Sequence, residues 1–483
     1  MRINFICSAL GIILRLFSLM LLCPCIIAVM EKDYFSLLPF IVASGLSLLL
    51  GLILKINQES LDSLNLIKKS EVLFTVALSW FAICLISAVP YLFYGFSFLN
   101  ALFEATSGIT TTGATILNSF DYPKAMFLWR SLSQWLGGMG IIVLFIAILP
   151  QFRIAGRQMF YAEAPGPTEE KVTPRIKHTA IALWGVYVFL TILQTVLYKI
   201  AGMNIFDAIC NSMSTISAGG FSPNSQSIMG YNSSLIIWIT ILFMFLSGAN
   251  FALQYRVYIQ KKVGSLIKSE EFKLYLAFFV GISALIALML CLEGCCSKII
   301  AIRNSLFQTI STMTSTGFAA VDYTKWGLSA KICLFLAMFI GGCAGSAAGG
   351  MKVVRVLYMF KFLRTEITKI LHPNAVVPIK IDKNIVPDEV GKQIVSFVMF
   401  YFLIFAVGAL LVSLIEQNVV IGVSGSISAL GNIGPAFGAL GPYETFEFLH
   451  SGTKFIFIIM MLVGRLELIP FLAMFHVDFW KIR

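Results

Sequence analysis

Apolar residues in this chain fall in long uninterrupted runs rather than with the period of an amphipathic helix or strand. Runs of about 20 residues, enough for a helix to cross a hydrocarbon core, lie at 4–30, 35–54, 72–95, 126–150, 179–200, 233–255, 274–292, 330–358, 393–415 and 453–475. Four shorter apolar stretches stand between them, Leu99 to Ile109 and residues 205–216, 303–313 and 420–430. Runs of roughly 10–14 residues are too short to cross and read as re-entrant elements. The pattern predicts an all-α polytopic membrane protein with ten crossings and four re-entrant segments. Arg2 precedes the first run, which is long for the apolar region of a signal peptide and has no A-x-A site after it; an uncleaved first span is expected.

Composition agrees. Of the 483 residues 58% are hydrophobic and 12% charged, where a soluble domain carries about 25% charged residues. The net charge of +11 does not point to nucleic acid, because Lys and Arg sit in short clusters between the apolar runs. Loops 55–70, 151–178, 256–273 and 352–392 hold 21 of them, against 9 in the opposite loops and flanks, which predicts a cytoplasmic N- and C-terminus. The four short stretches then share the outer side. Most of the ten cysteines, Cys84, Cys210 and Cys343 among them, lie in apolar runs and read as small hydrophobes. No G-x-G-x-x-G after a strand and no G-x-x-x-x-G-K-[ST] occurs, so no nucleotide cofactor is expected in this chain.

The short stretches are copies of one another. TSGITTTGA (106–114), SMSTISAGGF (212–221), TISTMTSTGF (309–318) and SISALGNIGP (426–435) align with Gly113, Gly220, Gly317 and Gly434 in register, at separations of 107, 97 and 117 residues. Each glycine follows a short helix, so the unit is span, short helix, glycine loop, span. The expected divisions are two N-terminal spans at 1–70 and four repeats at 71–157, 178–262, 272–365 and 390–483. A dehydrated cation needs a ring of oxygen ligands, which backbone carbonyls supply without net charge. Aiming successive carbonyls at one axis needs backbone angles that glycine adopts freely. The residues before each glycine are Thr110, Thr111 and Thr112; Ser217, Ala218 and Gly219; Thr314, Ser315 and Thr316; and Gly431, Asn432 and Ile433. Most are small or hydroxylic, so four loops can converge, and each short helix turns its partly negative C-terminus toward the ion. A single loop of this kind would more simply be a helix-packing surface; four in register favour a pore.

With LFEATSGITTTGAT (102–115), STISAGGFS (214–222), STMTSTGFAAVDY (311–323), GGCAGSAAGGMKVVR (341–355), LGNIGPAFGALGP (430–442) and LVGRLE (462–467), the chain resembles the Trk/Ktr/HKT superfamily of potassium transporters, in its TrkH type, over nearly its whole length. The resemblance implies potassium uptake through a pseudo-fourfold filter, with the ion at the loop residues named above. Glycine at position 113 leans toward potassium over sodium. The fourth loop departs most, with Asn432 and Ile433 in place of hydroxyl residues and Pro435 after the glycine. The resemblance also implies a homodimer in the bacterial cytoplasmic membrane and a separate cytosolic subunit of TrkA type that binds nucleotides or NAD.

Two further elements have competing explanations. The segment containing Gly341, Gly342, Gly345, Ser346, Gly349 and Gly350 could be a close helix contact; the resemblance makes it an intramembrane gate beneath the filter. Arg465 lies inside the last apolar run, where an arginine is costly unless paired or wet. It is either half of an interhelical ion pair or, by resemblance, a pore cation restraining leakage. Glu467 is too near in sequence to share its face. Glu104 and Asp207, near the starts of short helices, read as structural. A solute carrier would show inverted repeats, whereas these segments share one orientation, and a membrane-embedded enzyme would show His, Asp or Glu clustered within spans. Transport, not catalysis, is the expected class.

Overall fold

The computed structural model describes residues 3–54, 69–140, 176–262, 264–294 and 297–466. Its helices in chain order are α1 (Ile3–Leu21), α2 (Cys23–Met30), α3 (Leu37–Ile53), α4 (Lys69–Phe93), α5 (Phe98–Ile109), α6 (Lys124–Gly138), α7 (Ile176–Ile200), α8 (Ile205–Ile216), α9 (Ser234–Gly248), α10 (Phe251–Tyr258), α11 (Gly264–Lys268), α12 (Glu270–Leu292), α13 (Lys298–Met313), α14 (Leu328–Ala337), α15 (Val353–Leu371), α16 (Asp388–Glu416), α17 (Val419–Gly431) and α18 (Ser451–Arg465). Among the described residues six helices are long and apolar enough to cross a bilayer, seven if one bent pair counts as a span. The second halves of the expected spans 126–150 and 453–475, the loops 55–68 and 151–175, and Glu467 lie outside the described residues.

The first expected span, 4–30, stands as one span, Ile3–Met30, with a local irregularity at Leu22, where Pro24 opens α2 because proline cannot donate into the preceding turn. Two other expected spans are not continuous. The run 233–255 bends by 107° between α9 and α10. There the Asn250 side chain accepts from the amides of Ala252 and Leu253 and starts a new helix. The run 330–358 stops at Ala337 and resumes at Val353. Much of the expected loop 352–392 is ordered structure: α15 runs to Leu371, and a small hairpin pairs β1 (Lys380–Ile381) with β2 (Asn384–Ile385).

The N-terminal helices pack through small residues. A Cβ on Gly51 would stand 2.8 Å from the carbonyl of Gly11, and the Ser47 hydroxyl donates to Leu14 O at 2.7 Å. Such contacts hold helices together where lipid removes the hydrophobic drive between them. Phe17 and Phe40 then meet the buried Trp129 of α6 edge-on, each at 6.1 Å. The long helices α12 and α16 present Leu285, Leu288, Met399, Leu403 and Leu410 outward, the exposure expected of a lipid-facing surface. The short helices α5, α8, α13 and α17 form the interior. Three start on side-chain caps sixteen residues before their glycine, at Ser97, Asn204 and Asn418; α13 begins a turn earlier, at Lys298.

Candidate ion pathway

All four short helices end in the same way. The amides of Thr111, Ala218, Ser315 and Asn432 donate three residues back, and those of Thr112, Gly219, Thr316 and Ile433 donate five residues back. This is a Schellman closure, which needs a left-handed residue at the first position past the cap. Thr111, Ala218, Ser315 and Asn432 take that conformation, with φ of 57°, 57°, 55° and 53°. Two residues on, Gly113, Gly220, Gly317 and Gly434 have φ of 83°, 80°, 75° and 98°. A non-glycine residue held left-handed costs on the order of 1–2 kcal/mol, so the surrounding packing imposes the turn at each loop.

The loops touch in a closed cycle. A Cβ on Gly113 would fall 2.2 Å from Gly219 O, one on Gly220 2.1 Å from Thr316 O, one on Gly317 2.0 Å from Ile433 O, and one on Gly434 2.5 Å from Thr112 O. Each glycine therefore abuts the carbonyl that precedes its neighbour's glycine, first to second, second to third, third to fourth, and fourth back to first. No side chain fits at any of the four positions. Behind the loops, hydroxyls pair within a repeat, Thr110 with Thr112 at 2.8 Å and Thr314 with Thr316 at 2.7 Å. The fourth loop replaces that pairing with Asn432, whose amide donates to Thr112 Oγ1 at 3.0 Å and Met461 O at 2.9 Å. Irregular backbone at membrane depth is tolerated where it is buried in protein or lines a watery cavity, and these residues are buried.

On the side of the ring where the chain leaves the glycines there is a cavity of about 60 Å³, lined by Gly113, Gly220, Gly317, Thr115, Arg130 and Glu444, among others. Asp322 lies in the loop that follows Gly317. Burial pushes its carboxyl up, but bonds from Thr324 and Lys325 outweigh that and hold it below the usual carboxylate range.

On the opposite side lies the segment 338–352. Its neck is closed by Gly341 N to Met351 O at 2.7 Å and Val353 N to Gly342 O at 3.0 Å. Gly345 and Gly350 are left-handed, with φ of 69° and 66°, and the Ser346 hydroxyl donates to Cys343 O at 2.6 Å. The segment reaches the ring through Gly349, whose amide donates to Ser315 Oγ at 2.5 Å and whose Cβ would meet Gly431 O at 2.5 Å. It is held to the α9–α10 bend by Cys343 N to Gly248 O at 2.8 Å and Phe251 N to Gly345 O at 3.0 Å.

Arg465 closes α18 beside this segment. It donates to Ala347 O at 3.0 Å and to Gly137 O and Gly138 O at 2.6 and 2.9 Å. The last two carbonyls end α6, so the guanidinium sits at the negative end of a helix. Glycines in other helices lie close against the loops: a Cβ on Gly138 would hit Ser217, and one on Gly248 would hit Thr314, each three residues before a loop glycine.

Of the residues that hold this arrangement, Glu271, Gln134 and Arg130 are not singled out in the sequence. Glu271 of α12 accepts from the amides of Ala344 and Val354, at 2.6 and 3.2 Å, and so ties the interior of the segment to the first turn of α15. Gln134 donates to Gly219 O at 2.5 Å and accepts from Phe221 N at 3.1 Å. Glu104 pairs with Arg130 at 2.9 Å, in keeping with a structural part for that carboxylate, while Asp207 stands in the first turn of α8. Buried amides and carboxylates inside apolar runs were the available hint.

The TrkH family, described as "Cation transport protein", matches residues 55–296 and 294–481. The chain is 33% identical over 487 residues to the Trk system potassium uptake protein TrkH of Halomonas elongata, covering 100% of each. It is 35% identical to the protein of that name from Vibrio parahaemolyticus, again with 100% of both covered. With the Escherichia coli K12 counterpart it shares 35% identity over 86% of this chain and 87% of that one. The crystal structure of the potassium transporter TrkH from Vibrio parahaemolyticus superposes with a TM-score of 0.90 at 32% identity over 100% of both chains. A ring of buried glycine loops inside an all-helical membrane fold, together with matches of this extent, means that the chain belongs to the TrkH family of cation transport proteins.

Proposed function

We propose that this chain takes up potassium across the cytoplasmic membrane, through the ring formed by the loops ending at Gly113, Gly220, Gly317 and Gly434. The observation that carries the reading is the closed cycle of glycine-to-carbonyl contacts, in which the four loops face one another and no side chain can intervene. The ion binds at backbone carbonyls of residues 110–113, 217–220, 314–317 and 431–434, which replace its hydration shell. Potassium uptake proteins of the Trk system among the relatives support the choice of ion.

The segment 338–352 is the gate. Its contacts with Ser315 and Gly431 set it against the ends of two short helices, and its glycines let it shift. Arg465 raises the barrier to cations below the ring and braces the gate through Ala347. The chain works as a homodimer with N- and C-termini in the cytoplasm, beside a nucleotide- or NAD-binding subunit of TrkA type that docks on its basic loops. No cofactor acts in this chain.

The test is rescue of a potassium-uptake-deficient bacterial strain on low-potassium medium, with rubidium-86 uptake into liposomes holding the purified protein. Growth and rubidium uptake are expected. Accumulation of an organic solute without rubidium would overturn the reading, and equal passage of sodium would reduce it to a less selective cation pathway.

A further inference from the structure

Arginine is an unexpected neighbour for a cation path, yet Arg130 lines the cavity above the ring together with Gly113, Gly220 and Gly317. It is 2% exposed, and the Glu104 beside it is fully buried. The arginine is a clamp. Its Nη2 donates to Thr115 Oγ1 at 3.0 Å, its Nη1 to Ser222 O at 3.4 Å, and its guanidinium lies 4.0 Å from the centre of the Phe221 ring. It thus holds the segments that follow the glycines in the first and second repeats. Glu104 in turn accepts from Arg130 Nε at 2.9 Å, from Thr115 Oγ1 and from the amide of Ile116 at 3.0 Å.

Hydrogen bonding alone does not call for charge here. One turn along α6, the neutral Gln134 holds the second loop by donating to Gly219 O and accepting from Phe221 N. At the register of Glu104, nine residues before the loop glycine, the other repeats carry Asn211, Gln308 and Gly425. Only the repeat whose clamp is a cation has a carboxylate at this place.

We propose that Glu104 and Arg130 form a charge-compensating pair at the mouth of the pathway, and that the balance between them sets how readily a cation enters the ring. This rests on the reading that cations pass the four glycines. Removing the carboxylate charge makes the surroundings of the cavity, which Glu444 also lines, more positive by one unit, and this disfavours an entering cation. Removing both charges restores the original balance.

The experiment is the concentration dependence of rubidium-86 uptake into liposomes by wild type, Glu104→Gln and Glu104→Gln/Arg130→Gln, normalised to monodisperse protein, with melting temperatures measured alongside. Glu104→Gln is expected to raise the half-saturating rubidium concentration severalfold. The double variant is expected to return within about twofold of wild type. A double variant no better than the single, or a single variant with lower melting temperature and unchanged half-saturation, would leave the pair a clamp and overturn the proposal. If Glu104→Gln does not purify folded, Arg130→Gln at pH 8 decides: half-saturation below wild type upholds the idea, and a rise defeats it. Should wild type itself take up no rubidium, the preceding reading fails instead.

Discussion

Arg465 donates a hydrogen bond to the carbonyl of Ala347 across 3.0 Å, joining α18 to the segment beneath the glycine ring. The same side chain spans to Gly137 and Gly138 at the end of α6. A positive charge and a brace are thereby combined in one group, and both disappear with it. Arg465→Ala is expected to raise cation flux severalfold in proteoliposomes at matched protein. Flux equal to wild type would return the residue to a structural part.

The glycines permit no substitution. A side chain at Gly113 or Gly317 meets a carbonyl oxygen at 2.2 or 2.0 Å and must also hold a left-handed backbone, worth about 1–2 kcal/mol before any clash. Gly113→Ser and Gly317→Ser are each expected to impair growth rescue on low potassium or to admit sodium. Paired rubidium and sodium uptake measures this, and unchanged selectivity in both variants would defeat the assignment.

Glu271 fixes the proposed gate from outside. Its carboxylate accepts from Ala344 and Val354, on either side of the neck, and hydrogen bonds to a charged group contribute roughly 1.5–3 kcal/mol each. Glu271→Ala is expected to speed amide exchange across 341–352 and increase flux, with helix content preserved. Exchange as slow as wild type would mean that the neck bonds suffice.

Asn432 holds the seam between fourth and first repeats. Asn432→Ala removes the bonds to Thr112 and Met461 and leaves a residue ill suited to φ of 53°. A stability loss of about 1–3 kcal/mol and reduced preference for rubidium over sodium are expected. Thermal unfolding and competitive uptake report the two effects separately.

The positions of the four glycines could be read from the chain because each closes a recurring phrase at near-constant spacing after an apolar run too short to cross. The residues two places earlier could not. Thr111, Ala218 and Ser315 have no left-handed preference, and of the four only Asn432 carries a signal. The bend at Asn250 was hidden because the apolar run continues through it and hydropathy does not see a cap. Glu104 and Arg130 lie 26 residues apart on different helices, so their pairing is a property of the packing. The resting place of Arg465 was invisible for a similar reason, since backbone carbonyls leave no trace in a sequence.

Thr112 and Asn432 meet although 320 residues separate them along the chain. The fourth quarter of the ring is made last, after the chain of the other three loops. An incomplete chain has an open arc, in which Thr112 lacks both the Asn432 amide that donates to it and the Gly434 backbone packed on its carbonyl. A polypeptide stalled before its final helices would thus hold three loops with no wall to close the cycle of contacts.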